Sequence, residues 1–171
     1  PDSVLWLSGE NASATRNLKI AAEERGIAAS RLIFAQRTEK LEDHLARHRL
    51  ADLFLDTLPY NAHTTASDAL WAGVPVLTRM GKTFAGHVAA SLLTAAGLPE
   101  LITHSDADFV ARACELAQDG AQHASIRARL WDNRRTMPLF DTARITRHLE
   151  MAYEKMKACH DCGEPPESFS V

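Results

Sequence analysis

Up to about Ser105, short apolar runs alternate with amphipathic stretches; beyond it the alternation stops. Ser3-Val4-Leu5-Trp6-Leu7 reads as a buried strand, followed by apolar runs at Arg31–Ala35, Leu53–Asp56, Val74–Thr78 and, more briefly, Glu100–Ile102. Between them the pattern predicts helices over Asn11–Arg25, Glu39–Arg49, Thr64–Trp71 and Phe84–Ala96. Asn11 or Ser13 is placed to cap the first, and Gly26, Gly73 and Gly97 to close three of the four. Strands of about five residues alternating with helices predict βαβ units and a parallel, doubly wound sheet, an α/β Rossmann-like fold. From Ser105 onward three successive helices are expected, at Ser105–Gln118, Gln122–Arg135 and Thr142–Lys157. Gly163-Glu164-Pro165-Pro166 cannot sustain a helix, so the chain divides into one domain over residues 1–158 and an irregular tail over 159–171.

Composition narrows the function classes. The 171 residues are 46% hydrophobic and 24% charged, ordinary values for a globular domain with one core. A net charge of −3, with scattered basic residues and no aromatic-studded basic run, gives no expectation of a nucleic-acid partner. No apolar stretch nears the about 20 residues of a membrane span, and no signal-peptide pattern opens the chain. Pro1-Asp2-Ser3 running straight into a strand reads as a chain cut from something longer. Three cysteines, an odd number, fit a reducing compartment, and a cytoplasmic location is expected. Cys159-His160-Asp161-Cys162 has half of a zinc-ribbon spacing; a metal site would need Cys114, His148 or a partner chain, and a frayed tail is the simpler reading.

The chemistry concentrates between residues 56 and 68. In an open parallel sheet, ligands bind beyond the carboxyl ends of strands, where loops enter helix N-termini. The segment Asp56-Thr57-Leu58-Pro59-Tyr60-Asn61-Ala62-His63-Thr64-Thr65-Ala66-Ser67-Asp68 leaves a strand and enters a helix there. Unpaired amides and the helix dipole attract phosphate, Thr64 and Thr65 add hydroxyls, and His63 adds a further donor. Asp68 lies one turn on, where a carboxylate repels phosphate but suits the cis-diol of a ribose. The same residues also serve as an ordinary cap and a dipole-complementing acid. Elsewhere Lys82, His87 and His104 read as surface residues, the histidines without visible partners. Trp6 and Trp71 fall in apolar segments and are expected in the core. Asp106-Ala107-Asp108 reads as the acidic start of a helix.

These stretches also carry a resemblance. Leu50-Ala51-Asp52-Leu53-Phe54-Leu55-Asp56-Thr57, Asn61-Ala62-His63-Thr64-Thr65, Asp68-Ala69-Leu70-Trp71-Ala72-Gly73-Val74-Pro75-Val76-Leu77-Thr78 and Gly81-Lys82-Thr83-Phe84-Ala85-Gly86-His87-Val88-Ala89-Ala90-Ser91 closely resemble the O-linked N-acetylglucosamine transferases. The similarity extends to bacterial and plant SPINDLY-like relatives that carry tetratricopeptide repeats. It runs from about Ser3 to Tyr153 and includes Pro138-Leu139-Phe140-Asp141. Lys82 and His87 depart from it, standing where many relatives have Glu and Arg.

The resemblance implies the C-terminal half of a GT-B glycosyltransferase, binding UDP-N-acetylglucosamine for inverting transfer to a Ser or Thr hydroxyl of a protein acceptor. By the same resemblance His63, Thr64 and Thr65 contact the donor diphosphate and Asp68 the ribose. The family's Lys-x-x-His-x-x-Arg stretch around the uracil maps onto Lys40, His44 and Arg47, with Lys40 one residue further off than the pattern asks. No metal or cofactor is implied, since amides and hydroxyls take the place of a divalent ion. The catalytic residue is not identified in this chain: the family's lysine lies upstream. The N-terminal catalytic half and the repeats of the same parent are the expected partners, and the chain alone is expected to be inactive. Two alternatives stand beside this reading, a GDP-fucose-dependent protein O-fucosyltransferase domain and a nonenzymatic nucleotide-binding module.

Overall fold

The computed structural model describes residues 3–9 and 11–171. Two compact units emerge, one ending at Asp52 and the other beginning at Leu53. The first holds β1 (Leu5–Ser8), α1 (Ala12–Glu23), β2 (Leu32–Ala35) and α2 (Leu41–His48). β1 and β2 pair in parallel, with Leu5 opposite Leu32 and Ser8 opposite Ala35. Asn11 is the cap of α1: its side-chain oxygen accepts the Ala14 amide at 2.9 Å. Gly26 follows with φ of 72°, the left-handed turn that ends a helix at little cost in glycine. The run Ser3–Leu7 is not the buried strand expected. Leu5 and Ile33 remain 44% and 45% exposed; among the described residues β1 and β2 form a two-stranded sheet, and apolar composition does not reveal which of its faces are covered.

The second unit contains β3 (Phe54–Leu55), α3 (Thr64–Trp71), β4 (Val76–Arg79), α4 (Val88–Ala95), β5 (Ile102–Thr103), α5 (Asp106–Gln118), α6 (Gly120–Asn133) and α7 (Thr142–Asp161). Its strands are parallel in the order β3-β4-β5. β4 lies in the middle, and Val76, Leu77 and Thr78 are wholly buried, the unbroken run expected of a central parallel strand covered on both faces. α3 buries Ala66, Ala69 and Leu70, and α4 buries Ala89, Ala90 and Leu93, the helical spacing of a core-facing stripe. The small alanines let both helices approach closely, while Leu70, Leu77, Leu93, Leu98, Leu101 and Leu130 fill the interior.

Trp71 departs from its expected core position and is 45% exposed. It follows Leu70 by one residue, so about 100° of helical rotation turns it off the buried stripe. The Arg134 guanidinium covers it instead, 4.9 Å from one indole and 4.0 Å from that of Trp131, and donates to the Trp71 carbonyl at 2.9 Å. Trp6 is half-buried. α7 runs past its expected end at Lys157 to Asp161, so Cys159 and Cys162 lie on its last turn and just beyond, not in a frayed tail. Regular structure ends there. Short 3-10 turns at Ala29–Arg31 and Pro138–Phe140 carried no periodic signal, and a third, Pro99–Leu101, takes Glu100 and Leu101 from the expected strand Glu100–Ile102, so that β5 is Ile102–Thr103. Among the described residues no helix is long and apolar enough to cross a membrane.

Gly97 closes α4 with φ of 73°. A Cβ there would stand 2.8 Å from Asn133 Nδ2, which donates to the Ala96 carbonyl at 2.9 Å, and 2.9 Å from Met137 Cε. Gly97→Ala combines left-handed strain with the loss of that hydrogen bond and should cost about 2–3 kcal/mol. In urea unfolding the midpoint falls while the slope is unchanged.

Candidate functional site

Where β3 ends, the chain continues its ladder through Asp56, whose amide bonds the Leu77 carbonyl at 3.0 Å. The Asp56 side chain is 7% exposed. One carboxylate oxygen accepts the Ala62 amide at 2.7 Å and the other the buried Thr78 hydroxyl at 2.6 Å. The Thr103 hydroxyl in turn donates to the Thr78 carbonyl at 2.9 Å. One buried acid therefore fastens the loop 57–63 to the carboxyl end of the sheet. Such a group is tolerated inside because its lone pairs are answered.

The loop is tied at further points. Asn61 is 1% exposed; its amide bonds the Ala85 carbonyl at 3.0 Å and its Nδ2 the Thr57 carbonyl at 2.9 Å. Ala85 belongs to the turn between β4 and α4, where the Gly81 amide meets the Gly86 carbonyl at 2.7 Å. A Cβ on Gly81 would lie 3.1 Å from Leu58 Cδ2 and 3.2 Å from Gly86 Cα, so the two loops touch through a surface with no room for a side chain. Lys82 is exposed in this turn. His87 is not without a partner as expected: its Nδ1 donates to the Thr83 carbonyl at 2.8 Å.

The loop delivers the chain to α3. His63 is its N-cap residue, yet the imidazole makes no capping bond. The Ala66 and Ser67 amides both reach back to the His63 carbonyl at 3.1 Å. The Thr64 and Thr65 amides precede the first intrahelical bonds, and both residues are exposed. The helix thus presents open N–H groups, two hydroxyls and the positive end of its dipole at one place. Asp68, half-buried, stands one turn further along and does not share this opening position. Beside the opening Tyr60 stacks on His63 with ring centroids 4.7 Å apart, and Phe84 meets the same imidazole edge-on at 6.3 Å. His63, Thr64 and Thr65 are therefore brought together at the start of α3, with Asp68 one turn further along the helix. Asp56, Thr78, Asn61, Tyr60 and Phe84, which support them, were not singled out by the sequence.

In the first unit Lys40 precedes α2 and is exposed. His44 and Arg47, one turn apart, are half-buried and joined: Arg47 donates to His44 Nδ1 at 3.0 Å and to the Gln36 carbonyl at 2.7 Å. Asp106 and Asp108 open α5 as expected of a helix start, with Ser105 as the cap and Asp106 paired to Arg79 at 2.5 Å. Among the described residues no cluster of three or more His, Cys, Asp or Glu side chains has the geometry to hold a metal ion.

The profile of glycosyl transferase family 41 matches residues 1–149. This chain belongs to that family. Over 172 residues it is 37% identical to a probable UDP-N-acetylglucosamine–peptide N-acetylglucosaminyltransferase, SEC, of Arabidopsis thaliana, covering all of this chain and 18% of that protein. It is 34% identical to the UDP-N-acetylglucosamine–peptide N-acetylglucosaminyltransferase of Caenorhabditis elegans, covering 96% of this chain and 14% of the relative. Among solved structures, a lysine-to-methionine variant of the Thermobaculum terrenum O-GlcNAc transferase superposes with a TM-score of 0.84 at 34% identity. That match covers 93% of this chain and 31% of the solved one. The family 41 chain thus spans less than a fifth of these two curated relatives, and its parallel strands flanked by helices have the α/β fold expected of the C-terminal half of a GT-B enzyme.

Proposed function

We propose that this domain holds the donor of a protein O-glycosyltransferase, binding UDP-N-acetylglucosamine for inverting transfer to a Ser or Thr hydroxyl. The observation that carries this reading is the open start of α3, where exposed Thr64 and Thr65 follow a histidine whose imidazole makes no capping bond. In an inverting transfer the acceptor oxygen forms its bond to the anomeric carbon as the bond to the diphosphate breaks, and negative charge builds on the leaving phosphate. Amides already aimed at that charge lower the barrier without reorganising. His63, Thr64 and Thr65 receive the diphosphate and Asp68 the ribose hydroxyls. Acceptor binding and the transfer step belong to the longer polypeptide of which this domain is a part.

The donor is held without a divalent ion, since amides and hydroxyls do the work of one. The test is a calorimetric titration of the intact polypeptide with UDP and GDP, with and without EDTA. UDP should bind at least about tenfold more tightly than GDP, a difference of about 1.4 kcal/mol, and EDTA should change neither affinity. Equal or preferential binding of GDP, or loss of UDP binding in EDTA, overturns the assignment.

A further inference from the structure

Tyr60 is 64% exposed and Phe84 84% exposed, large aromatic rings standing in solvent beside a polar opening. The inside face of Tyr60 is occupied: it lies nearly parallel to the His63 imidazole, at 18° and 4.7 Å, while Phe84 meets the same ring at 87°. His63 makes no capping bond, and its Nε2 is buried without a hydrogen-bond partner. Among the described residues, then, these ring contacts are what orient the imidazole. The main chain at Tyr60 is itself well anchored. Its carbonyl accepts the Thr57 hydroxyl at 3.2 Å, and the next residue, Asn61, is buried and bonded to Thr57 and Ala85.

Resting on the reading of His63 as a diphosphate ligand, we infer that Tyr60 is a positioning residue that sets the plane of the His63 imidazole for the donor. An imidazole donates only in the plane of its ring. Stacking against a fixed phenol face holds that plane, and rotation of the ring about its side-chain bond would break the face contact. The ring is thereby held ready before ligand arrives, and the ordering cost that a free imidazole would meet on binding is reduced. The phenol hydroxyl has no part in this, so a phenyl ring should serve as well.

The test is a double-mutant cycle on the intact polypeptide, read by UDP titration and by the His63 ring proton shifts. Tyr60→Leu should weaken UDP roughly fivefold and Tyr60→Phe by less than about twofold. In the His63→Ala background Tyr60→Leu should have no further effect. The His63 ring signals should move in Tyr60→Leu, which removes the aromatic ring current, and stay in Tyr60→Phe. If Tyr60→Phe loses as much as Tyr60→Leu, or if Tyr60→Leu weakens UDP equally without His63, the positioning role is wrong. Should His63→Ala weaken UDP while Tyr60→Leu does not, positioning again fails but the diphosphate reading survives. An unchanged affinity in His63→Ala removes both.

Discussion

Asp56→Ala is expected to destabilise the second unit by about 3 kcal/mol, among the largest effects of any single substitution at this site. The carboxylate is almost wholly buried and answers two donors, the Ala62 amide and the Thr78 hydroxyl. Truncation leaves a part-buried amide and a buried hydroxyl without their acceptor, and each unsatisfied buried group costs about 1–3 kcal/mol. Thr78 can turn its hydroxyl toward another acceptor, but the Ala62 amide cannot move without the loop. The loop would loosen from the sheet, and the α3 start it delivers would lose its fixed position, so UDP affinity should fall along with stability. Asp56→Asn should cost about 1 kcal/mol, since one amide oxygen still accepts from Ala62. Thermal unfolding followed with and without UDP checks both. Equal stability of Asp56→Ala and the parent would show that the carboxylate does not hold the loop.

His63→Ala should behave in the opposite way. Its side chain makes no cap bond, and its stacking partners are themselves largely exposed, so unfolding should shift by less than about 1 kcal/mol. UDP affinity should fall by a factor of about ten to a hundred, the worth of a hydrogen bond to a charged oxygen, about 1.5–3 kcal/mol. Calorimetric titration alongside thermal unfolding separates these effects. A variant that unfolds early yet binds UDP normally would place His63 among the structural residues.

What the sequence made legible follows from the range of the interactions involved. α3 occupies its expected span, Thr64–Trp71, because its start and stop are written locally, in His63-Thr64-Thr65 and in Gly73 with φ of 85°. The Asn11 cap is legible for the same reason, since its bond reaches three residues ahead. The support of the site was hidden because its partners are distant in the chain. Asp56 and Thr78 are separated by 22 positions, and neither alone differs from any polar residue at a strand end. Phe84 reads as the start of a helix, yet α4 begins at Val88, and the residues between form the turn that places Phe84 beside His63. Trp71 shows the converse limit. An apolar segment gives a tryptophan no angle around the helix, and the buried positions Ala66, Ala69 and Leu70 had already defined the inward face.

The most direct measurement is a crystal of the intact polypeptide soaked with UDP. The pyrophosphate should lie with its oxygens about 3 Å from the Thr64 and Thr65 amide nitrogens, a hydrogen-bonding separation, with the ribose toward Asp68. A diphosphate bound elsewhere, with those two amides still facing solvent, would contradict the proposal that the start of α3 is the donor seat.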